Sequence, residues 1–90
     1  MPSNSKYYPL LKLLSDKHGW ETHPTLRTWR DFSCQTIQVH GSKMTDSMYR
    51  EILTGIYAAS QKAQQETNDC DLLTKYIELD ERIRIICKLD

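Results

Sequence analysis

Apolar side chains recur at intervals of three and four along most of this chain, the spacing that places them on one side of an α-helix. The pattern is clearest in the second half. Met48, Ile52, Ile56, Ala59 and Ala63 follow one another at that spacing, with Tyr49, Leu53 and Tyr57 beside them. Thr45 or Asp46 suits the N-cap, where a short side-chain oxygen accepts from an otherwise orphaned amide. The helix is expected to run to about Glu66. Asn68-Asp69 then breaks the pattern and caps a last helix carrying Leu72, Leu73, Tyr76, Ile77, Leu79, Ile83 and Ile86. So short a connection predicts an antiparallel hairpin. Ile56 and Ile83, each inside its helix's apolar arc, are expected in the core.

The first half reads as two shorter helices. Tyr7, Leu10, Leu11 and Leu14 make a stripe between Lys6 and Lys17, with Pro9 tolerated in the first turn and Gly19 as terminator. Thr22-His23-Pro24 is a helix start signal. At roughly 100° per residue, Leu26, Trp29, Phe32, Ser33, Thr36, Ile37 and Val39 fall in one arc of about 160°. Gly41 closes the segment. The competing reading makes 36 to 40 a strand, because Ile37 and Val39 alternate with polar residues. The helix accounts for more of the large apolar residues. The expected fold is therefore all-α: one domain over residues 1 to 90, a small bundle of three or four helices with a long C-terminal antiparallel hairpin.

Two features stand apart from that core pattern. Gly55, Ala59 and Ala63 form a small-residue stripe, and Gly inside a helix costs roughly 1 kcal/mol against Ala. A close helix contact would offset that cost; plain tolerance of the glycine is the other reading. Ile85 and Leu89 project away from the main apolar arc of the last helix and suggest a second apolar face, open to another chain or to the first helix.

Composition narrows the function classes. The 90 residues are 39% apolar and 27% charged, a globular balance. Twelve basic and twelve acidic side chains leave zero formal net charge. That argues against a strongly basic nucleic-acid binder and against an acidic nucleic-acid mimic. No apolar stretch approaches the length of a membrane span, so no membrane partner is expected. The opening MPSNSKYYPLLKLL lacks the form of a secretory signal. Cys34, Cys70 and Cys87 match no small disulfide framework, and a reducing, cytoplasmic setting is expected.

The candidate chemistry is sparse. Both tryptophans lie in HGWETHPTLRTWRDFSCQ, residues 18 to 35. Trp29 and Phe32 sit within the apolar arc and are expected in the core. Trp20, in a loop after Gly19, either packs beneath that loop or anchors a partner. His18 and His23 lack an acidic or thiolate ligand at a defined spacing, so neither a metal nor another cofactor is expected. His18 fits better as a favourable charge at a helix C-terminus. Cys34 lies between Arg30 and Gln38 on the polar face. Arginines nearby favour thiolate, but a small residue at a helix–helix boundary is the better reading, because free Cys is usually buried. Arg27 and Arg30, with Lys43, make either a small anion-binding patch or a solvated face. Leu10-Leu11-Lys12-Leu13-Leu14 has the form of a groove-docking LxxLL peptide, although core packing explains it. Asp80 falls in the apolar arc of the last helix and needs partners there; Arg84, Tyr49 and Tyr57 are candidates.

Phosphate loops, metal-ligand sets and catalytic triads are absent from the sequence, so no catalytic residues and no enzyme are expected. The reading that remains is a non-catalytic protein-binding module: a small regulator, inhibitor or assembly factor. Virus- or phage-encoded effectors of host proteins belong to this class. Its partner would be another protein, with homo-oligomerisation as a further option. The expected contact residues are Trp20, Arg27, Arg30, Ile85 and Leu89. The alternative is a nucleic-acid-binding regulator that uses the local Arg/Lys patch.

Overall fold

The computed structural model describes residues 6–15 and 19–89, with the side chains of 12–15 and of Ser42 outside that description. Four α-helices follow in order: α1 (Tyr8–Ser15), α2 (Pro24–His40), α3 (Asp46–Glu66) and α4 (Cys70–Cys87). Short 3₁₀ turns at Trp20–Thr22 and Gly41–Lys43 flank α2. There is no strand among the described residues, and 36 to 40 complete α2.

Local sequence sets each boundary. Pro24 occupies the first turn of α2, and His23 caps it by accepting the Thr25 amide on Nδ1. The Thr45 hydroxyl accepts from the Met48 amide at the head of α3. Asp69 accepts from the Asp71 and Leu72 amides at the head of α4. These contacts satisfy amides that have no partner within their own helix.

Helix α3 lies between α2 and α4. Its Gly55 faces the Trp29 ring of α2. On its other side, the Ser60 hydroxyl donates to the Tyr76 carbonyl of α4 at 3.1 Å. Further along, Arg50 donates to the Cys87 carbonyl and Gln64 donates to the Asp80 carboxylate. Low numbers on α3 thus meet high numbers on α4, the register of an antiparallel hairpin. His23 Nε2 and Glu66 Oε1, 2.7 Å apart, tie the start of α2 to the end of α3, so that pair is antiparallel as well. The result is an up-down-up array. The Trp20–Thr22 turn bridges its outer members, packing on both α2 and α4.

The core follows this arrangement. Ile52, Leu53, Ile56, Ala59 and Ala63 of α3 are buried against Leu26 of α2 and against Tyr76, Leu79, Ile83 and Cys87 of α4. Tyr7, Leu11, Trp20 and Met44 close its ends. Ile56 and Ile83 are fully buried, as the periodicity predicts. Leu10 is partly buried and Leu11 fully buried, so this half of the LxxLL segment is packed on the core. The side chains of Leu13 and Leu14 lie outside the described residues.

Phe32, Val39 and Ile77 depart from their predicted core positions. Phe32 and Ile77 are each 48% exposed and Val39 is 70% exposed. Helices α2 and α4 each have one long neighbour, and such a contact covers less than the 160° arc drawn from sequence. Ser33, 1% exposed, sits near the centre of the face that α2 buries. Phe32 and Val39 project about 100–120° to one side of it.

Candidate partner-binding surface

The five residues expected to contact a partner are not brought together. Trp20 is 3% exposed and belongs to the core. Gly19, at φ 86°, takes the left-handed turn that directs the following 3₁₀ segment beneath the bundle. The partner-anchor reading of Trp20 is thereby corrected. Leu89 is corrected too. The helix stops at Cys87, and Lys88 turns left-handed at φ 57°, ψ 47°. The Leu89 amide then bonds the Arg84 carbonyl and the Lys88 amide bonds the Ile85 carbonyl. This Schellman closure folds Leu89 back onto the core rather than continuing its outward projection. Arg27 is exposed. Arg30 is partly buried and donates from Nε and Nη2 to Asp31 Oδ1 at 3.1 and 2.8 Å. Ile85 is exposed as well, at 70%.

A different surface emerges on α2. Thr25, Thr28, Phe32, Gln35 and Val39 are spaced by three and four and fall within about 80° of one another. All but Thr25, which is partly buried, are exposed. None is charged, and the stripe runs for roughly 20 Å along the helix. Arg27 and Arg30 project about 120° and 180° from its centre, so they do not interrupt it. Trp29 backs the stripe. Its ring meets Phe32 edge to face, with centroids 5.6 Å apart and planes at 89°. The same ring system approaches Gly55 so closely that a Cβ built there would lie 2.2 Å from Trp29 Cη2. Gly55 thus accounts for the small-residue stripe of α3 at this point: it is a seat for an aromatic ring.

The titratable groups are arranged for structure. Burial raises the pKa of Asp80, while Ser60, Gln64, Gln61 and Arg84 act in the opposite direction. Its donor is Gln64, not Tyr49 or Tyr57. The hairpin register sets Gln64 opposite Asp80 and leaves Tyr49 at the far end of α3. Burial likewise raises the Cys87 thiol, with Arg50 and Lys6 opposing. Asp80 and Cys87 are two helical turns apart, about 10 Å along the axis, too far to share a proton. No group of three His, Cys, Asp or Glu side chains among the described residues is placed to hold a metal. His23 is engaged at both ring nitrogens by Thr25 and Glu66. The histidine at 18 lies outside the described residues. Cys34 is partly buried on α2, and none of the three cysteines is in a disulfide.

No protein-family model, curated protein or solved structure matches this chain. Among the described residues no helix is long and apolar enough to cross a membrane.

Proposed function

We propose that this chain is a non-catalytic protein-binding module that docks an amphipathic helix of another protein along the outer stripe of α2. The observation that carries the reading is the exposure of Phe32 and Val39 within an uncharged, heptad-spaced seam. Covering it desolvates no ion, which removes the main penalty of association. Phe32 is a suitable central anchor. It is aromatic, and its edge-to-face contact with Trp29 limits the rotamer freedom lost on binding. Small regulators, inhibitors and assembly factors act in this way. The three thiols, none in a disulfide, suit a reducing compartment.

The test is crosslinking capture from the source cell, followed by quantitative comparison of variants. A partner that binds the wild type should be lost with Phe32→Lys and with Val39→Glu, while helicity and melting stay unchanged. Arg27→Glu should leave it bound. The reading fails if both stripe variants retain the partner. It fails equally if Arg27→Glu abolishes binding and the captured molecule is a nucleic acid released by moderate salt.

A further inference from the structure

The outer face of α4 carries the second pair of uncovered aliphatic side chains, Ile77 and Ile85. They flank Glu81 at about 40° to either side and lie roughly 6 Å below and above it along the helix. Leu89 is not part of this face, because the Lys88 turn sends it inward. The charges around the isoleucines are segregated. Asp69, Asp71, Glu78 and Asp80 precede Glu81 with only Lys75 among them, whereas Arg82, Arg84 and Lys88 follow it with no acid before Asp90. Each end is favourable for its own helix dipole, so the pattern alone requires no partner. What calls for one is that two β-branched aliphatics sit astride the point where the charge changes sign.

We infer that α4 pairs with α4 of a second copy of this chain, antiparallel, about a twofold axis at the level of Glu81. Such an axis places residues whose numbers sum to 162 at the same height. Ile77 then shares a layer with Ile85 of the second copy, and the reciprocal layer forms on the other side of the axis. Along one edge, Glu78 lies within a helical turn of Arg82 of the second copy. In the middle, Arg84 reaches Glu81 of the second copy. The helix dipoles also oppose. Glu81 meets its own image in either arrangement, but a parallel pairing would also set Glu78 against Glu78 and Arg84 against Arg84, whereas the antiparallel one brings an arginine to each acid, so the charge pattern favours the antiparallel arrangement. The contact is isologous and closes at two chains. One helix on one helix falls at the weak end of interfaces, below about 1,200 Å², so association is reversible. This face is separate from the α2 stripe and does not depend on the reading given for it.

Sedimentation equilibrium of the whole chain from about 1 µM to 1 mM reads the association directly. The expected result is a monomer–dimer equilibrium that weakens at least tenfold with Ile85→Lys, at unchanged helicity. It should also weaken with the pair Arg82→Glu and Arg84→Glu. An equimolar mixture of that variant with the Glu78→Arg, Glu81→Arg variant should recover dimers, because each presents a face of one sign. Orientation is read in a Cys70→Ser background. Ile77→Cys mixed with Ile85→Cys should crosslink to each other in preference to either homodimer. If Ile85→Lys loses helicity, the charge variants and the crosslink decide. A monomer throughout the range, a dimer indifferent to all these changes, or preferential Ile77→Cys self-crosslinking overturns the inference.

Discussion

Replacing Gly55 by Ala tests how α2 sits on α3. On propensity alone the change should help, since Ala is better than Gly inside a helix by about 1 kcal/mol. The structure opposes it. A Cβ at 55 would lie 2.2, 2.4 and 2.5 Å from Trp29 Cη2, Cζ2 and Cζ3. These are three atoms of a rigid ring, so the clash cannot be relieved by turning the end of a flexible chain. Either Trp29 changes rotamer, which disturbs its contact with Phe32, or α2 moves off α3. Overpacking of this kind costs about 1–3 kcal/mol. Set against the propensity gain, the net effect runs from about zero to a loss of about 2 kcal/mol, the latter equivalent to roughly 8–16 °C in Tm for a domain of this size.

Urea melts followed by circular dichroism, on four variants, separate the two contributions. In a Trp29→Ala background the clash is gone, and Gly55→Ala should stabilise by about 1 kcal/mol. The coupling between the two sites is then the overpacking cost itself, about 1–3 kcal/mol. If Gly55→Ala raises stability in the wild type as much as in the Trp29→Ala background, Trp29 does not seat on Gly55, and the exposed position assigned to Phe32 loses its support.

Three other expectations follow from the same packing. Ile56→Ala and Ile83→Ala, at fully buried positions, should each cost about 2–4 kcal/mol in urea melts; an unchanged midpoint would place the core on another face. Lys88→Gly should stabilise by roughly 0.5–1 kcal/mol, because a left-handed backbone penalises Lys but not Gly; a loss would mean that the Lys88 side chain matters more than the turn. Asp80 has its pKa raised by burial, so the stability it contributes when protonated is lost as pH rises through its folded-state value. Asp80→Asn stays neutral and can still accept from Gln64, so it should gain on the wild type as pH is raised from about 3 to 7; a difference that stays flat across that range would show the carboxylate to be unperturbed.

The hairpin was legible in the sequence because α3 and α4 are long, capped by residues of unambiguous chemistry, and joined by only three residues. The caps at Thr45 and Asp69 and the burial of Ile56 and Ile83 follow from that local information. Trp20 was not legible. Whether a loop tryptophan packs inward depends on the left-handed Gly19 turn and on α4, a helix remote in sequence that the turn packs against. Leu89 was misread for a local reason: helical projection was continued through Lys88, a residue type that gives no warning of a left-handed turn. Gln64 as the donor to Asp80 required the register between the two helices, which periodicity alone does not supply.

The misassignment of Phe32, Val39 and Ile77 has a common origin that bears on function. An apolar arc read from sequence includes every position that avoids charge, whatever covers it. In an up-down-up array only the middle helix has long neighbours on two sides. Helices α2 and α4 each turn one face toward α3 and leave another open, and the Cα envelope of 41 × 26 × 16 Å is correspondingly flat. Surplus apolar positions on α3 are absorbed by the core, while those on α2 and α4 reach the surface. The uncovered aliphatic and aromatic residues described therefore collect on the two outer helices, along an uncharged stripe on α2 and among segregated charges on α4. These faces suit different contacts. On the proposed reading, the uncharged stripe of α2 would take a partner's amphipathic helix without discriminating by charge, whereas α4 would pair with its own antiparallel image. Because α3 separates the two helices, a dimer formed through α4 would present two α2 stripes to its partners at once.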